Sequence, residues 1–345
     1  MSESRALARE RLKGLIEGGT CNSLTDALKE IWDGEPEFGV FRDALALLRA
    51  RLRKDTWESY PEDKAIFSWM LHQVTRPWLS EFLSQVLPPS LLFSDDYRVE
   101  NKVLGVTCLH HIIRNVPAAE LQQYNQAQVM YHALKNHLYT AEAEVIEVVL
   151  PCLLDLLPVL QIPPPALGEY QKDKQNPTDE ILQLVLTHME MEHKIVLRRV
   201  YARNLPALQQ MLGVRVARHM KRLLSVIVGY LEVYDEPEET ARLCILETLQ
   251  GTIKLVWPRM PCRLTLLLKA LLKLISDVSC DPGQTPKSVR EALLHSATEC
   301  LILLDRCCNG QVKVGYVMSL QHNFVSLIPS LPYTSAVLIS PVDNT

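Results

Sequence analysis

Apolar residues recur every three or four positions along most of this chain, the spacing that lines up one stripe of an α-helix. The clearest run is Val289, Ala292, Leu293, Ser296, Ala297, Cys300, Leu301 and Leu304, where only small residues interrupt the stripe. The segment before it reads Leu264, Leu267, Leu268, Leu271, Leu274, Ile275 and Val278, with Lys269 and Lys273 facing outward. A short Asp281-Pro282-Gly283-Gln284 connection predicts that the two form an antiparallel hairpin. Polar residues mark the helix starts. Thr285 stands at an N-cap position with Pro286 first in the helix, Asn176-Pro177-Thr178-Asp179 opens another, and Thr140 with Glu142 a third. Asp235, followed by Pro237 and Glu238, is close to a D-x-x-E capping box. Asp95 and Asp96 precede a helix beginning near Tyr97, where acidic groups offset its positive end, with a carboxylate pair or divalent-ion site as the alternative. Asn309-Gly310 terminates the last helix.

Strand patterns are almost absent before residue 312, and no Asn-Gly turn lies between alternating runs. Helices of ~12–20 residues, paired into hairpins roughly every 40 residues, match the period of HEAT and armadillo units. The expected fold is all-α, an α-solenoid of HEAT/armadillo-like helical hairpins with irregular repeats. A compact irregular bundle is the alternative. Residues 1–56 read as an N-terminal helical segment, 57–162 as the N-terminal part of the repeat region and 178–311 as the C-terminal repeats. Between the two parts, 163–177 is a proline- and charge-rich loop that suits an exposed hinge. Residues 312–345 form an apolar tail punctuated by Pro329, Pro332 and Pro341.

Composition narrows the chemistry. Only 13 of 345 residues are glycine, too few to favour a glycine-rich phosphate loop or a barrel of tight hairpins. The opening Met1-Ser2-Glu3-Ser4-Arg5 leads into charged, periodic sequence rather than an apolar signal core. Val145 to Leu160 is apolar but broken by Glu147, Pro151, Asp155 and Pro158, and Leu264 to Ile275 is short and carries two lysines. A soluble protein without membrane contact is expected. The nine cysteines stand singly apart from Cys307-Cys308, which suits reduced thiols and a location in the cytoplasm and nucleus.

No catalytic or nucleotide-binding motif is present, neither G-x-S-x-G, G-x-G-x-x-G nor a P-loop. Cys108 and His111 sit at i, i+3 and could share an ion, but tetrahedral zinc needs further ligands from elsewhere. Helix packing is the alternative for them, as it is for His110, His188 and His193. Neither catalysis nor a cofactor is expected.

The most uneven charge runs from Lys194 to Arg222, with Lys194, Arg198, Arg199, Arg203, Arg215, Arg218, Lys221 and Arg222 and no acidic residue. Glu232, Asp235, Glu236, Glu238 and Glu239 follow it. Three explanations fit: an intramolecular network between hairpins, a patch for an acidic protein partner, or a nucleic-acid stripe. The chain as a whole carries 36 basic and 40 acidic residues, which places nucleic acid last. Tyr230 and Tyr234, at i, i+4, are candidate contact aromatics as well as candidate core.

Particular strings carry a resemblance beyond periodicity. They include FSWMLHQVTRPWL from Phe67 to Leu79, CLHHII from Cys108 to Ile113 and NVPAAEL from Asn115 to Leu121. NHLYT from Asn136, YARNLPA from Tyr201, GYLEVYD from Gly229 and LLKALLKLI from Leu267 follow in order. Together they closely resemble the Tti-two family, over roughly Trp57 to Val312. The first ~55 residues resemble it loosely, and the tail after Val312 departs from the charged helical ending of the family, which points to an alternative end. The resemblance implies a non-catalytic helical scaffold in the Triple T cochaperone complex. Its partners would be the Tel-two protein and the Tti-one solenoid. With the HSP-ninety chaperone and its R-two-T-P adaptor, that complex supports phosphatidylinositol 3-kinase-related kinases.

Overall fold

A helix can begin at a proline, which needs no N–H partner there, when an oxygen just before it caps the next free amide. Asn176 does this: its Oδ1 accepts from the Thr178 N–H at 2.9 Å, with Pro177 first in the helix. The computed structural model describes residues 38–161, 176–280 and 285–312, with Gly14 alone before them. Among these residues the regular elements are all helical, and none is a strand. The chain divides into two compact units, Met1–Lys172 and Asp173–Thr345.

The helices of the first unit are α1 (Phe38–Leu48), α2 (Pro61–Gln73), α3 (Leu83–Ser94), α4 (Val99–Asn115), the short α5 (Ala118–Gln122), α6 (Gln126–His137) and α7 (Ala143–Leu160). The pairs α3/α4 and α6/α7 are hairpins, and α4 lies directly against both α2 and α7. The seam is aliphatic: Val106, Leu109 and Ile112 from α4 and Ile146, Val149, Leu150 and Leu153 from α7 are fully buried. Approach within the first hairpin is tight. A Cβ on Gly105 would stand 2.1 Å from the backbone nitrogen of Ser94.

The prolines that interrupt Val145 to Leu160 as a membrane-span candidate do not interrupt its helix. Pro151 and Pro158 lie inside the continuous helix α7. An interior proline costs a helix ~3 kcal/mol, whereas α7 buries Val145, Ile146, Val149, Leu150, Cys152, Leu153, Leu156 and Leu157. At ~1.5–3 kcal/mol per buried apolar side chain, packing outweighs the broken ladder. No described helix is long and apolar enough to cross a membrane.

Asp95 and Asp96 do not cap α4. The helix starts three residues after Asp96, its cap position is Arg98, and no side chain caps it. Asp96 instead accepts from Asn101 Nδ2, while Asn101 Oδ1 accepts from Lys64 Nζ at 2.5 Å. This chain of contacts ties the α3–α4 connection to α2.

The second unit contains α8 (Pro177–Met191), α9 (Ile195–Leu212), α10 (Met220–Leu231), α11 (Thr240–Val256), α12 (Leu264–Cys280) and α13 (Lys287–Cys307). Successive pairs α8/α9, α10/α11 and α12/α13 pack as hairpins. Each hairpin also stacks on the next, α8 to α10 to α12 in one layer and α9 to α11 to α13 in the other. This two-layer arrangement is solenoid-like, and its hairpins start about 45 residues apart, within the HEAT and armadillo range. Leu205 and Leu208 of α9 and Ile245 and Leu249 of α11 are fully buried. A buried polar cross-link joins the same two helices: Gln209 Nε2 donates to Thr252 Oγ1 at 2.8 Å, and that hydroxyl donates to the Thr248 carbonyl.

Two helix ends refine the sequence expectation. Thr285 does not cap α13. Pro286 occupies the cap position, and the Thr285 hydroxyl is turned toward Glu239 Oε1 at 3.5 Å. Asn309 adopts φ 52° beyond the end of α13, and the Gly310 N–H donates to the Asp305 carbonyl at 3.0 Å, a Schellman-type stop. The connection 281–284, the loop 162–175 and the tail after Val312 lie outside the described residues.

The eight cysteines among the described residues are free thiols. Burial pushes the Cys108 thiol up to about 11 and the Cys300 thiol up to about 12. Cys262, just before α12, and Cys280, at its last position, are exposed.

The Gly105 contact sets a test. Gly105→Ala should force α3 and α4 apart and destabilise the first unit by ~2 kcal/mol or more, read as a lowered urea midpoint. A variant of unchanged midpoint would mean the hairpin has room for a methyl group.

Candidate interaction surface

Arginine carries five donors in a rigid fork, so a run of arginines folds against whatever oxygens its helix neighbours supply. In the second unit those oxygens come mostly from the chain itself. Arg199, on α9, donates from Nε to Asp235 Oδ2 at 3.1 Å. Its Nη2 donates to the carbonyls of Asp235 and Glu236 and reaches Glu238 Oε2 at 3.0 Å. Arg198 lays its guanidinium 3.7 Å from the Tyr230 ring centroid and donates to the Gly229 carbonyl. Arg222 grips Glu190 with two bonds of 3.0 and 2.8 Å, binding α10 to α8. Arg215 approaches Asp179 at 3.7 Å, and the buried His219 meets the same carboxylate at 2.8 Å.

The eleven residues singled out in the sequence therefore fall into two groups. Arg198, Arg199, Arg215, Arg222, Tyr230 and Asp235 belong to an internal network, with Tyr230 and Asp235 buried. Lys194, Arg203, Arg218 and Lys221 are exposed, and Tyr234 is 40% exposed. Carboxylates already held by Arg199, Arg215 and Arg222 interrupt the continuous positive stripe that a nucleic-acid surface needs.

Asp235 anchors the network from both sides. Besides holding Arg199, its Oδ2 accepts from the Ala241 N–H at 2.8 Å, the first turn of α11. Its own N–H is turned toward Glu239 Oε2 at 3.4 Å. The expected D-x-x-E capping box does not form: the cap position of α11 is Glu239, its side chain caps nothing, and Asp235 reaches the Ala241 N–H from four residues before that position. The turn through Pro237 delays the helix to Thr240, and Glu238 goes to Arg199.

Sequence reasoning missed Arg242. It is 1% exposed, its Nη1 donates to Glu239 Oε1 at 3.1 Å, and its guanidinium lies 4.5 Å from the Tyr234 ring centroid. The i, i+3 spacing of Glu239 and Arg242 was the available signal. Burial raises the Glu239 pKa above 4.5, and the neighbouring Asp235 adds to it, against the opposing pull of Arg242.

In the first unit Cys108 and His111 do not converge on an ion site. The Cys108 thiol faces Ser68 Oγ at 3.5 Å, and His111 Nε2 lies 2.8 Å from the Val74 carbonyl. His110 pairs with Asp155 at 2.8 Å, joining α4 to α7. Among the described residues no group of three or more His, Cys, Asp or Glu could hold a metal.

Residues 40–234 match the Tti2 family. The chain belongs to that family. It is 56% identical over 313 residues to human TELO2-interacting protein 2, covering 90% of this chain and 60% of that protein. The rat and mouse proteins of the same name are 54% and 53% identical over the same shares. The chain thus spans about 60% of the length of the curated relatives it matches. The strings that carried the Tti-two resemblance lie largely inside the matched region. That region ends at Tyr234, so in this Tti2-family chain the match includes α9 and α10 and stops just before Asp235.

Breaking a fully buried ion pair costs ~3–5 kcal/mol and an exposed pair contributes ~0–1 kcal/mol, and the part-buried Arg199–Asp235 pair falls between them. Arg199→Gln should therefore lower the urea midpoint of the second unit clearly, and Arg222→Gln only slightly. Equal effects would show that the Asp235 junction holds nothing together.

Glu239 supplies a pH test. A folded-state pKa above the unfolded value gives a contribution that is fully present below 4.5 and is lost as pH rises through the raised value. Carboxyl NMR should place the Glu239 midpoint above 4.5, and Glu239→Gln should remove this part of the stability slope. A midpoint at or below the ordinary glutamate value would refute it.

Proposed function

We propose that this chain is a non-catalytic scaffold subunit that binds the Tel-two protein named in its relatives' description. It would act with the Tti-one solenoid in the Triple T cochaperone complex. In that role it supports maturation and stability of phosphatidylinositol 3-kinase-related kinases alongside the HSP-ninety chaperone and its R-two-T-P adaptor, in the cytoplasm and nucleus. The observation that carries this reading is family membership together with a fold of stacked hairpins. Stacked hairpins present ridges and grooves suited to another helical protein. Exposed apolar side chains at hairpin ends, Met191 and Val196 beside α9 and Val214 and Trp257 elsewhere in the second unit, are consistent with such contacts.

The test is co-expression of the full chain with the Tel-two protein and the Tti-one solenoid, followed by affinity purification and thermal melting. A stable assembly should form. At a partner excess of about 100 Kd the chain gains ~2.7 kcal/mol, a rise of several degrees in melting temperature. Failure to co-purify with either protein, with an unchanged melting temperature, would refute the subunit role.

A further inference from the structure

Surface cations that no carboxylate of their own chain neutralises raise a positive potential, and that potential draws anionic partners. The chain turns from α9 to α10 through residues 213–219 and from α11 to α12 through residues 257–263. Successive hairpins alternate direction, so α9 and α11 run the same way in one layer and both turns emerge on one edge of the second unit. Arg259 joins the two turns, its Nη1 donating to the Ala217 carbonyl at 3.2 Å. Arg218, Lys221, Arg259 and Arg263 are exposed there, and residues 213–221 and 257–263 contain no acidic side chain. None of these four cations makes an ion pair among the described residues. Of the carboxylates at the ends of α8 and α13 on this edge, Asp179 is buried and held by Arg215 and His219, and Glu180 and Asp305 are half-buried. Two apolar side chains stand among the cations, Trp257 at 58% exposure and Val214 at 71%. The acidic turn 232–239 lies at the other end of α10, ~18 Å away along the rod.

We infer that this edge docks an acidic segment of a partner polypeptide that also carries apolar side chains. Trp257 is the apolar anchor, and the four cations hold the carboxylates. Charge selects the class of ligand: an edge with exposed cations and no exposed carboxylate in its turns complements a carboxylate-rich segment. The exposed indole selects a polypeptide, since tryptophan and arginine are the side chains most enriched at interface hot spots. A single-stranded nucleic acid needs a row of aromatic rings to stack its bases, and Val214 beside one indole does not supply it. The inference deepens the scaffold reading and rests on it in taking a protein as the partner. Lost peptide binding with co-purification of the Tel-two protein and the Tti-one solenoid intact counts against this surface alone. Lost co-purification with peptide binding intact counts against the subunit role alone.

The experiment follows the fluorescence anisotropy of labelled probes titrated with the full chain at low and at physiological salt. The probes are a peptide of four Glu-Asp-Phe repeats, its Gln-Asn-Phe and Glu-Asp-Ser counterparts, and a single-stranded oligouridylate of the same length. The Glu-Asp-Phe peptide should bind saturably and more weakly as salt rises. Each counterpart should bind about tenfold more weakly or worse. Arg263→Glu and Trp257→Ala should each lower the affinity about tenfold, with the urea midpoint little changed because both side chains are exposed. Lys194→Glu makes the same charge change at the far end of α9, ~27 Å along the rod and beyond the ~8 Å screening length of physiological salt. It should leave the affinity there unchanged. Binding that does not saturate, an equal loss in Lys194→Glu, or full affinity in Trp257→Ala would overturn the docking surface. An oligouridylate that binds tighter than the Glu-Asp-Phe peptide would overturn the polypeptide occupant.

Discussion

A helix hairpin has two apolar surfaces to hide, one between its own rods and one toward the next hairpin, and only another hairpin satisfies the second. Everything else in this molecule follows from that constraint. In the second unit α9, α11 and α13 bury their stripes side by side, while α8, α10 and α12 do the same in the facing layer. The first unit solves the same problem with α4 at its centre. Because the driving force is non-directional, the seating of one rod on another is left to polar contacts. Gln209 on Thr252 and Lys64 on Asn101 supply those in the two units. Such contacts contribute modestly to net stability, but a mismatched pair leaves a buried polar group unsatisfied, and this penalises alternative registers.

Charge serves the same end. A stretch with eight basic residues looks like a surface for something negative until the partners of each guanidinium are known. Arg199 and Arg222 direct their donors to carboxylates from outside their own helices, and Arg198 covers an aromatic ring. The acidic turn after α10 is the counterpart that neutralises part of the stretch. Asp235 works on both helices at once, accepting from Arg199 of α9 and from the first turn of α11. The exposed members of the stretch, Lys194, Arg203, Arg218 and Lys221, define a much smaller basic surface than the raw sequence suggests.

Much of the architecture was legible because helix periodicity and the Asn176-Pro177 start are local signals. The misplaced elements were those decided by distant contacts. Asp96 and Thr285 look like caps, but neighbouring side chains in space, Asn101 and Glu239, claim their oxygens first. The buried charge cluster was half visible. Asp235 drew notice as a cap, while Arg242 sits within an ordinary-looking helix, and nothing local announces that it is fully buried. Arg290 lies far along the chain and meets the same cluster only through the packing of α13 on α11.

The distribution of thiols has a practical corollary. Deep packing holds the Cys108, Cys152 and Cys300 sulfurs in their protonated form, where they neither alkylate nor oxidise readily. Cys262 and Cys280 stand in solvent at opposite ends of one rod ~25 Å long. The pair marks the two ends of α12. Spin labels or fluorophores placed on that pair would report, without any engineered cysteine, whether the rod stays straight when a large partner settles beside it.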